Sequence, residues 1–212
     1  NMLLAARDQG VKRFVYASLS SVYGDSAELP KREGMEGCLL SPYAVTKATN
    51  ELNAQNFYTT YGLPTIGLRY FNVFGKRQDP NSQYAAVMPL FVKALLDKKS
   101  PTIFGNGKQS RDFTHVDNVI EANIRSCLAG EEAFGKAFNI GCSAQHYLID
   151  VYNMLCDMMG ISLPPQYTSP RDGDITHSHA CIELASRYLG YVPQTQLKEG
   201  LEKSIAWYKA NL

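Results

Sequence analysis

Two short apolar runs with one long helix between them limit what this chain can fold into more than any other feature. The runs are RFVYAS (Arg13–Ser18) and TIGLRYFNVFG (Thr65–Gly75), both rich in β-branched and aromatic residues. Their length and composition read as buried strands. Ahead of the first lies NMLLAARDQG, which reads as the last turns of an amphipathic helix stopped by Gly10. Between the runs a polar helix is predicted from about Pro42 to Tyr61, stopped by Gly62–Pro64, after a loop rich in Ser, Gly, Pro and charge over Ser20–Leu40. Helix, strand, helix, strand is the order of right-handed crossovers in a parallel sheet.

After Gly75 the segments shorten. The pattern predicts a loop (GKRQDPNSQY), a helix near Ala85–Asp97, a strand PTIFG, the turn GNGKQSRD and a helix near Val116–Ala129. The strand KAFNIG and helices over Tyr147–Met159, Ile182–Tyr188 and Leu197–Ala210 complete the chain. The expected fold class is α/β: a partial Rossmann-type doubly wound parallel sheet, its first strands missing, with a smaller mixed α/β substrate lobe. Residues 1–80 are expected to form the sheet half and 81–212 mainly the second lobe, with some segments returning to the sheet. Opening in mid-helix on Asn1, the chain reads as the C-terminal part of a longer polypeptide.

Composition narrows the function classes. Hydrophobic residues make up 45%, charged residues 19%, and the net charge is +1. Such a balance suits a globular protein and argues against nucleic acid or an anionic membrane as main partner. No apolar run approaches the length of a membrane span and no signal peptide is visible, so a cytoplasmic location is expected. Cys38, Cys127, Cys142, Cys156 and Cys181 are scattered and form no CxxC, as reduced thiols would be. His177 and His179 would share a face if extended, but with no third ligand nearby no metal site is expected.

The sharpest local signal is SPYAVTK, which places Tyr43 and Lys47 four apart on one face of the predicted helix. Chance supplies about one such pair in a chain of this composition, so the spacing gains weight only from other motifs. They are ASLSSVYG, LRYFNVFG, SRDFTHVDN, FNIG and RDGD, in this order along the chain. On these motifs the chain resembles the extended short-chain dehydrogenase/reductases that act on nucleotide sugars. Within them it looks most like UDP-hexose 4-epimerases, particularly those accepting N-acetylated sugars, over essentially its whole length.

That resemblance implies NAD as cofactor, a UDP-sugar as substrate and inversion at sugar C4 through a transient 4-keto form. The C4–H bond is not acidic, so the C4 alcohol has to be oxidised before its configuration can change. The base that takes the hydroxyl proton is a tyrosine. A free phenol ionises near pH 10, so acting at neutrality requires roughly 3 units, about 4 kcal/mol. A lysine ammonium 5–6 Å away supplies roughly 3 kcal/mol of this at an effective dielectric of 20. By resemblance Tyr43 is the acid/base and Lys47 its cationic neighbour, both also touching the cofactor, together with Ser18 and Tyr70.

For the substrate the resemblance implies Asn72 at the phosphates, Arg111 and Arg171 at the phosphates and ribose, and Asp174 on a ribose hydroxyl. Val87, Met88 and Phe104 are expected around uracil. Ser178 is expected beside the sugar 2-substituent, where a small side chain leaves room for an N-acetyl group. The complete protein is a possible homodimer, through the helix carrying Tyr43 and the one before it.

The sequence departs from the family pattern in two places. The Ser or Thr normally four residues before the Tyr of VYG is Leu19 here, which makes Ser20 the stand-in hydroxyl. The glycine-rich turn for the dinucleotide pyrophosphate has no counterpart; the one glycine cluster, Gly105–Gly107, lacks its spacing. Two alternatives therefore stay open: a catalytically impaired UDP-sugar-binding relative, and a nucleotide-sugar dehydratase, although SLSSVYG lacks the Asp–Glu pair that such an elimination needs.

Overall fold

The computed structural model describes residues 1–79, 86–170 and 175–211. In chain order the elements are α1 (Met2–Asp8), β1 (Phe14–Leu19), α2 (Pro42–Tyr61), β2 (Thr65–Tyr70), β3 (Val73–Phe74), α3 (Val87–Leu96), β4 (Thr102–Phe104) and β5 (Ser110–Arg111). They continue with β6 (Thr114–His115), α4 (Val116–Leu128), β7 (Lys136–Ile140), β8 (His146–Tyr147), α5 (Leu148–Met159), β9 (Gln166–Thr168), α6 (Glu183–Leu189) and α7 (Leu197–Asn211). A 3₁₀ turn, Ser20–Tyr23, follows β1 directly.

The main sheet has the order β1-β2-β7, all parallel, with Ser18 registered on Arg69 and Leu19 on Tyr70. Helix α2 crosses back from β1 to β2. Ser41 caps it by accepting the Ala44 N–H, Pro42 occupies its first turn, and Gly62 ends it in the left-handed conformation at φ 69°. Each feature suits its position: an oxygen for an orphan donor, a ring that needs no donor, and a residue without Cβ. Its buried residues are two alanines, Ala44 and Ala54, which let the helix lie close to the sheet.

Two large apolar cores stand out among the described residues, beside a smaller cluster of Val22, Tyr23, Phe71 and Ala180. One joins β2 and β7 to α4 and α6 through Ile66, Leu68, Ala122, Phe138, Ile140 and Leu189. The other fills the second lobe, where α3, α5 and α7 pack through Phe91, Leu95, Tyr152, Leu155, Leu201 and Tyr208. Between the lobes run the short pairs β3–β6 and β5–β8, while β4 pairs with β9.

The structure corrects the sequence reading in detail. The predicted strand Thr65–Gly75 is two strands, broken at Asn72, whose φ of 25° is incompatible with a continuous extended run. The turn GNGKQSRD ends in β5, and β6, β8 and β9 went unread because two- and three-residue strands carry no periodicity. Of the helix predicted near Ala85–Asp97, Ala85 lies outside the described residues; the helix itself runs Val87–Leu96, with Ala86 as its extended N-cap.

Helix α7 approaches β3 and β6 across Gly200. A Cβ there would stand 2.7 Å from Phe74 Cζ and 3.0 Å from His115 Cδ2, both on buried rings. Gly200→Ala is therefore expected to destabilise the protein by about 1–3 kcal/mol, despite the ~1 kcal/mol that alanine gains over glycine in a helix. Chemical denaturation measures this, and a rise in stability would contradict the close approach.

Candidate active site

Parallel α/β sheets bind ligands beyond the carboxyl ends of their strands. Tyr43 and Lys47 stand at that end of β1. The Lys47 ammonium lies 5.6 Å from the centre of the Tyr43 ring and donates to the Ala17 carbonyl at 3.2 Å. Tyr43 is 47% exposed, so its phenol is accessible from solution. An ammonium carries three donors, and Ala17 takes one of them.

One turn further along the same face is Glu51, completing a ladder Tyr43–Lys47–Glu51 at i, i+4 and i+8. Arg69 grips Glu51 with a fork, Nε to Oε1 at 3.0 Å and Nη2 to Oε2 at 2.7 Å. Ser18 adds its hydroxyl to Oε1. The other arm of Arg69 donates to the Tyr23 hydroxyl at 3.0 Å and to Glu36. Tyr23 donates onward to Asn139 Oδ1 at 2.6 Å, and the Asn139 amide donates to the carbonyls of Lys31 and Cys181. Burial pushes the Tyr23 phenol up, so it stays a neutral donor. A single buried network thus fastens α2, the turn after β1, and β7. Sequence reasoning missed Glu51 and Arg69, although the repeated spacing of four after Lys47 was a usable signal.

A cavity of about 600 Å³ opens beyond β2 and runs over α3 and β4. Asn72, Val87, Met88, Phe104 and Arg111, five of the expected substrate residues, all line it. Arg111 Nη1 donates to the carbonyls of Ser110 at 2.8 Å and Thr176 at 3.2 Å. Gln109, also in the lining, fixes the Phe104 carbonyl at 2.7 Å. Behind it Asp112 is fully buried and accepts the N–H groups of Cys142 at 2.8 Å and Ala180 at 3.1 Å. Burial pushes its carboxyl up to about 6, against the pull of those N–H donors. The cavity is mostly apolar along α3 and β4, with Arg111, Gln109, Asn72 and Thr102 as its polar lining, the usual composition of a small-molecule site.

The other expected residues are placed differently. Ser18 is buried and donates its hydroxyl to Glu51. The Tyr70 hydroxyl is exchanged with Asn123 of α4 at 3.0 Å. Ser20 is half-buried in the turn after β1. Ser178 is 6% exposed, donates its N–H to the Ser110 carbonyl at 3.1 Å, and is not among the cavity residues. Its small side chain suits the close approach of these two backbones. Arg171 and Asp174 lie outside the described residues. His177 shares its Nδ1 with the Ser110 hydroxyl at 2.8 Å.

With a Tyr–Lys pair near the end of β1 and a cavity of about 600 Å³ over α3 and β4, the architecture is that of a short-chain dehydrogenase/reductase. The chain belongs to the NAD dependent epimerase/dehydratase family, whose pattern matches residues 1–141. It is 34% identical over 206 residues to an uncharacterized UDP-glucose epimerase of Bacillus subtilis, covering 97% of this chain and 63% of that protein. Among solved structures it is similar to UDP-N-acetylglucosamine 4-epimerase from Methanobrevibacter ruminantium in complex with UDP-N-acetylmuramic acid, with a TM-score of 0.94 at 34% identity over 100% of this chain and 67% of that one. A second is the UDP-glucuronic acid 4-epimerase from Bacillus cereus in complex with UDP-glucuronic acid and NAD, with a TM-score of 0.90 at 31% identity over 100% and 66%. The chain thus spans about two thirds of the length of these relatives.

The NAD of this family can be tested against the residues present. Lys47 and Tyr43 offer a cation and a hydroxyl side by side at a strand end, a donor set suited to the ribose and nicotinamide end of a dinucleotide.

Asn72 turns the chain into the cavity. Because asparagine tolerates positive φ better than alanine and glycine better still, Asn72→Ala is expected to cost about 1 kcal/mol of stability and Asn72→Gly nearly nothing. Equal losses for both, in urea unfolding, would show that the amide and not the backbone matters there.

Proposed function

We propose that this chain carries the substrate site and the acid/base of an NAD-dependent 4-epimerase of UDP-hexoses. The observation that carries the proposal is the convergence of Asn72, Val87, Met88, Phe104 and Arg111 on one cavity, in a chain that also brings Lys47 over the Tyr43 ring. The uracil fits the apolar part along α3 and β4, and Arg111 meets the diphosphate with charge-assisted bonds. Arg171 and Asp174 are assigned to the phosphates and ribose on the sequence motif alone. Tyr43 takes the C4 hydroxyl proton and returns it, and Lys47 holds positive charge beside the phenol. Bound NAD supplies a reversible oxidation at C4, so that reduction from the opposite face inverts the centre. UDP-N-acetylglucosamine and UDP-N-acetylgalactosamine are the proposed substrate pair, supported by the likeness to the Methanobrevibacter ruminantium enzyme. On α1 and α2, exposed Met2, Leu4, Val45 and Leu52 support pairing with a second copy.

A second reading follows from Leu19, half-buried at the end of β1, which can neither donate nor accept a hydrogen bond. On that reading the site binds UDP-sugars and turns them over poorly.

Calorimetry with UDP tests the binding claim. Arg111→Ala is expected to weaken UDP at least about tenfold, the worth of a charge-assisted bond. Tyr43→Phe should leave UDP affinity unchanged and abolish interconversion of the two UDP-N-acetylhexosamines in the presence of NAD. An Arg111→Ala variant that binds UDP like the wild type would overturn the assignment. For turnover, Leu19→Ser is expected to raise the rate by roughly 10²-fold, the lower range for a positioned proton-transfer group. No gain would mean that Ser20 or another hydroxyl already fills the role.

A further inference from the structure

We infer that Arg69 is a positioning residue for the Tyr43–Lys47 pair: by occupying both carboxylate oxygens of Glu51, it prevents that carboxylate from capturing the Lys47 ammonium. The inference rests on the roles proposed for Tyr43 and Lys47 and assigns a role to two residues outside them.

The spacing creates the problem that Arg69 solves. Lys47 and Glu51 are i and i+4 on α2, the separation at which opposite charges on a helix pair. Elsewhere in this protein such pairs form. Glu121 holds Arg125 at 2.7 Å, Glu199 holds Lys203 at 2.9 Å, and Lys93, also the N-terminal member, reaches Asp97 at 4.0 Å. Lys47 instead donates to the Ala17 carbonyl and sits over the Tyr43 ring, one turn in the other direction. Glu51 is unavailable to it. Oε1 accepts from Arg69 Nε and from Ser18, Oε2 accepts from Arg69 Nη2, and the Arg69 side chain is 8% exposed. Ser18 and Arg69 are register partners on β1 and β2, so the sheet presents both donors to one helix position. The planar guanidinium fork matches the two oxygens in a way that a point charge cannot.

Removing Arg69 would leave a half-buried carboxylate one turn from a lysine. The ammonium would swing toward Glu51 and away from Tyr43, separating the phenol from the charge that it depends on. Removing Glu51 as well takes away the competitor. This reciprocity separates positioning from stability: a role confined to stability gives the double variant no advantage over the single one.

The test uses the 212-residue chain with ¹³C-labelled lysine and reads the ring-current shift on the Lys47 ε-methylene. In the wild type, Tyr43→Leu should move that signal, since the ring lies beneath the amine. In Arg69→Met the response to Tyr43→Leu is expected to fall below about a third of its wild-type size, and in Arg69→Met/Glu51→Gln to return to at least about two thirds. A full response in Arg69→Met, or no recovery in a cooperatively unfolding double variant, would overturn the inference. Should Arg69→Met not fold, Arg69→Lys carries the test. One ammonium cannot hold both Glu51 oxygens, so the response should drop by about half, and an unchanged response refutes the role. UDP calorimetry on the same proteins keeps the two claims apart. Loss of UDP binding already in the wild type would sink the nucleotide-sugar reading, while the Lys47 response would still decide the role of Arg69.

Discussion

The buried fork between Arg69 and Glu51 is the contact on which the geometry of the site depends. Helix α2 buries only two alanines against the sheet, and small smooth side chains fix neither the rotation of a helix nor its position along its axis. A two-toothed ionic contact fixes both, because it is satisfied at one orientation only. It is also costly to break. Removing one member of a buried pair leaves an uncompensated charge and costs about 3–5 kcal/mol, whereas a well-packed apolar replacement of both is often tolerated. Through Tyr23 and Asn139 the same network reaches the turn after β1 and the strand β7, so the helix that carries the phenol and the loop opposite it are set by one set of bonds.

The site divides its work between the two cores. The sheet half carries the exposed Tyr43 and the half-buried Lys47, to which the proposed function gives the proton transfer and the cationic neighbour. The second lobe, built on α3, α5 and α7, offers shape: a mostly apolar cavity with Asn72 and Arg111 in its polar lining. The joint between them is made by the sharp turn at Asn72 and by Asp112, which ties the cavity wall to the loops after β7 and before α6 through backbone N–H groups.

What could be read from the sequence followed the length of each element. The helix Pro42–Tyr61 was legible to the residue, because its cap, its proline and its terminating glycine are all local chemistry. The parallel sheet was legible from two apolar runs. The short strands β5, β6, β8 and β9 were not, since their existence is decided by partners tens of residues away. Among site residues, Asn72 and Arg111, from two separate motifs, line one cavity together with Val87, Met88 and Phe104. For Ser18 and Ser178 nothing in the sequence signalled their bonds inside the protein, to Glu51 and to the Ser110 carbonyl, because those partners lie far along the chain. Arg69 escaped notice for a similar reason: an arginine inside a strand looks like an edge residue until its buried partner is known.

Methyl-resolved NMR of the chain titrated with UDP tests the nucleotide-sugar site most directly. Val87 and Met88, at the start of α3, should shift most, while Ile182 and Val192, which line a different cavity beside α6, should stay in place. Shifts concentrated at Ile182 and Val192, with Val87 and Met88 unmoved, would contradict the assignment of the cavity.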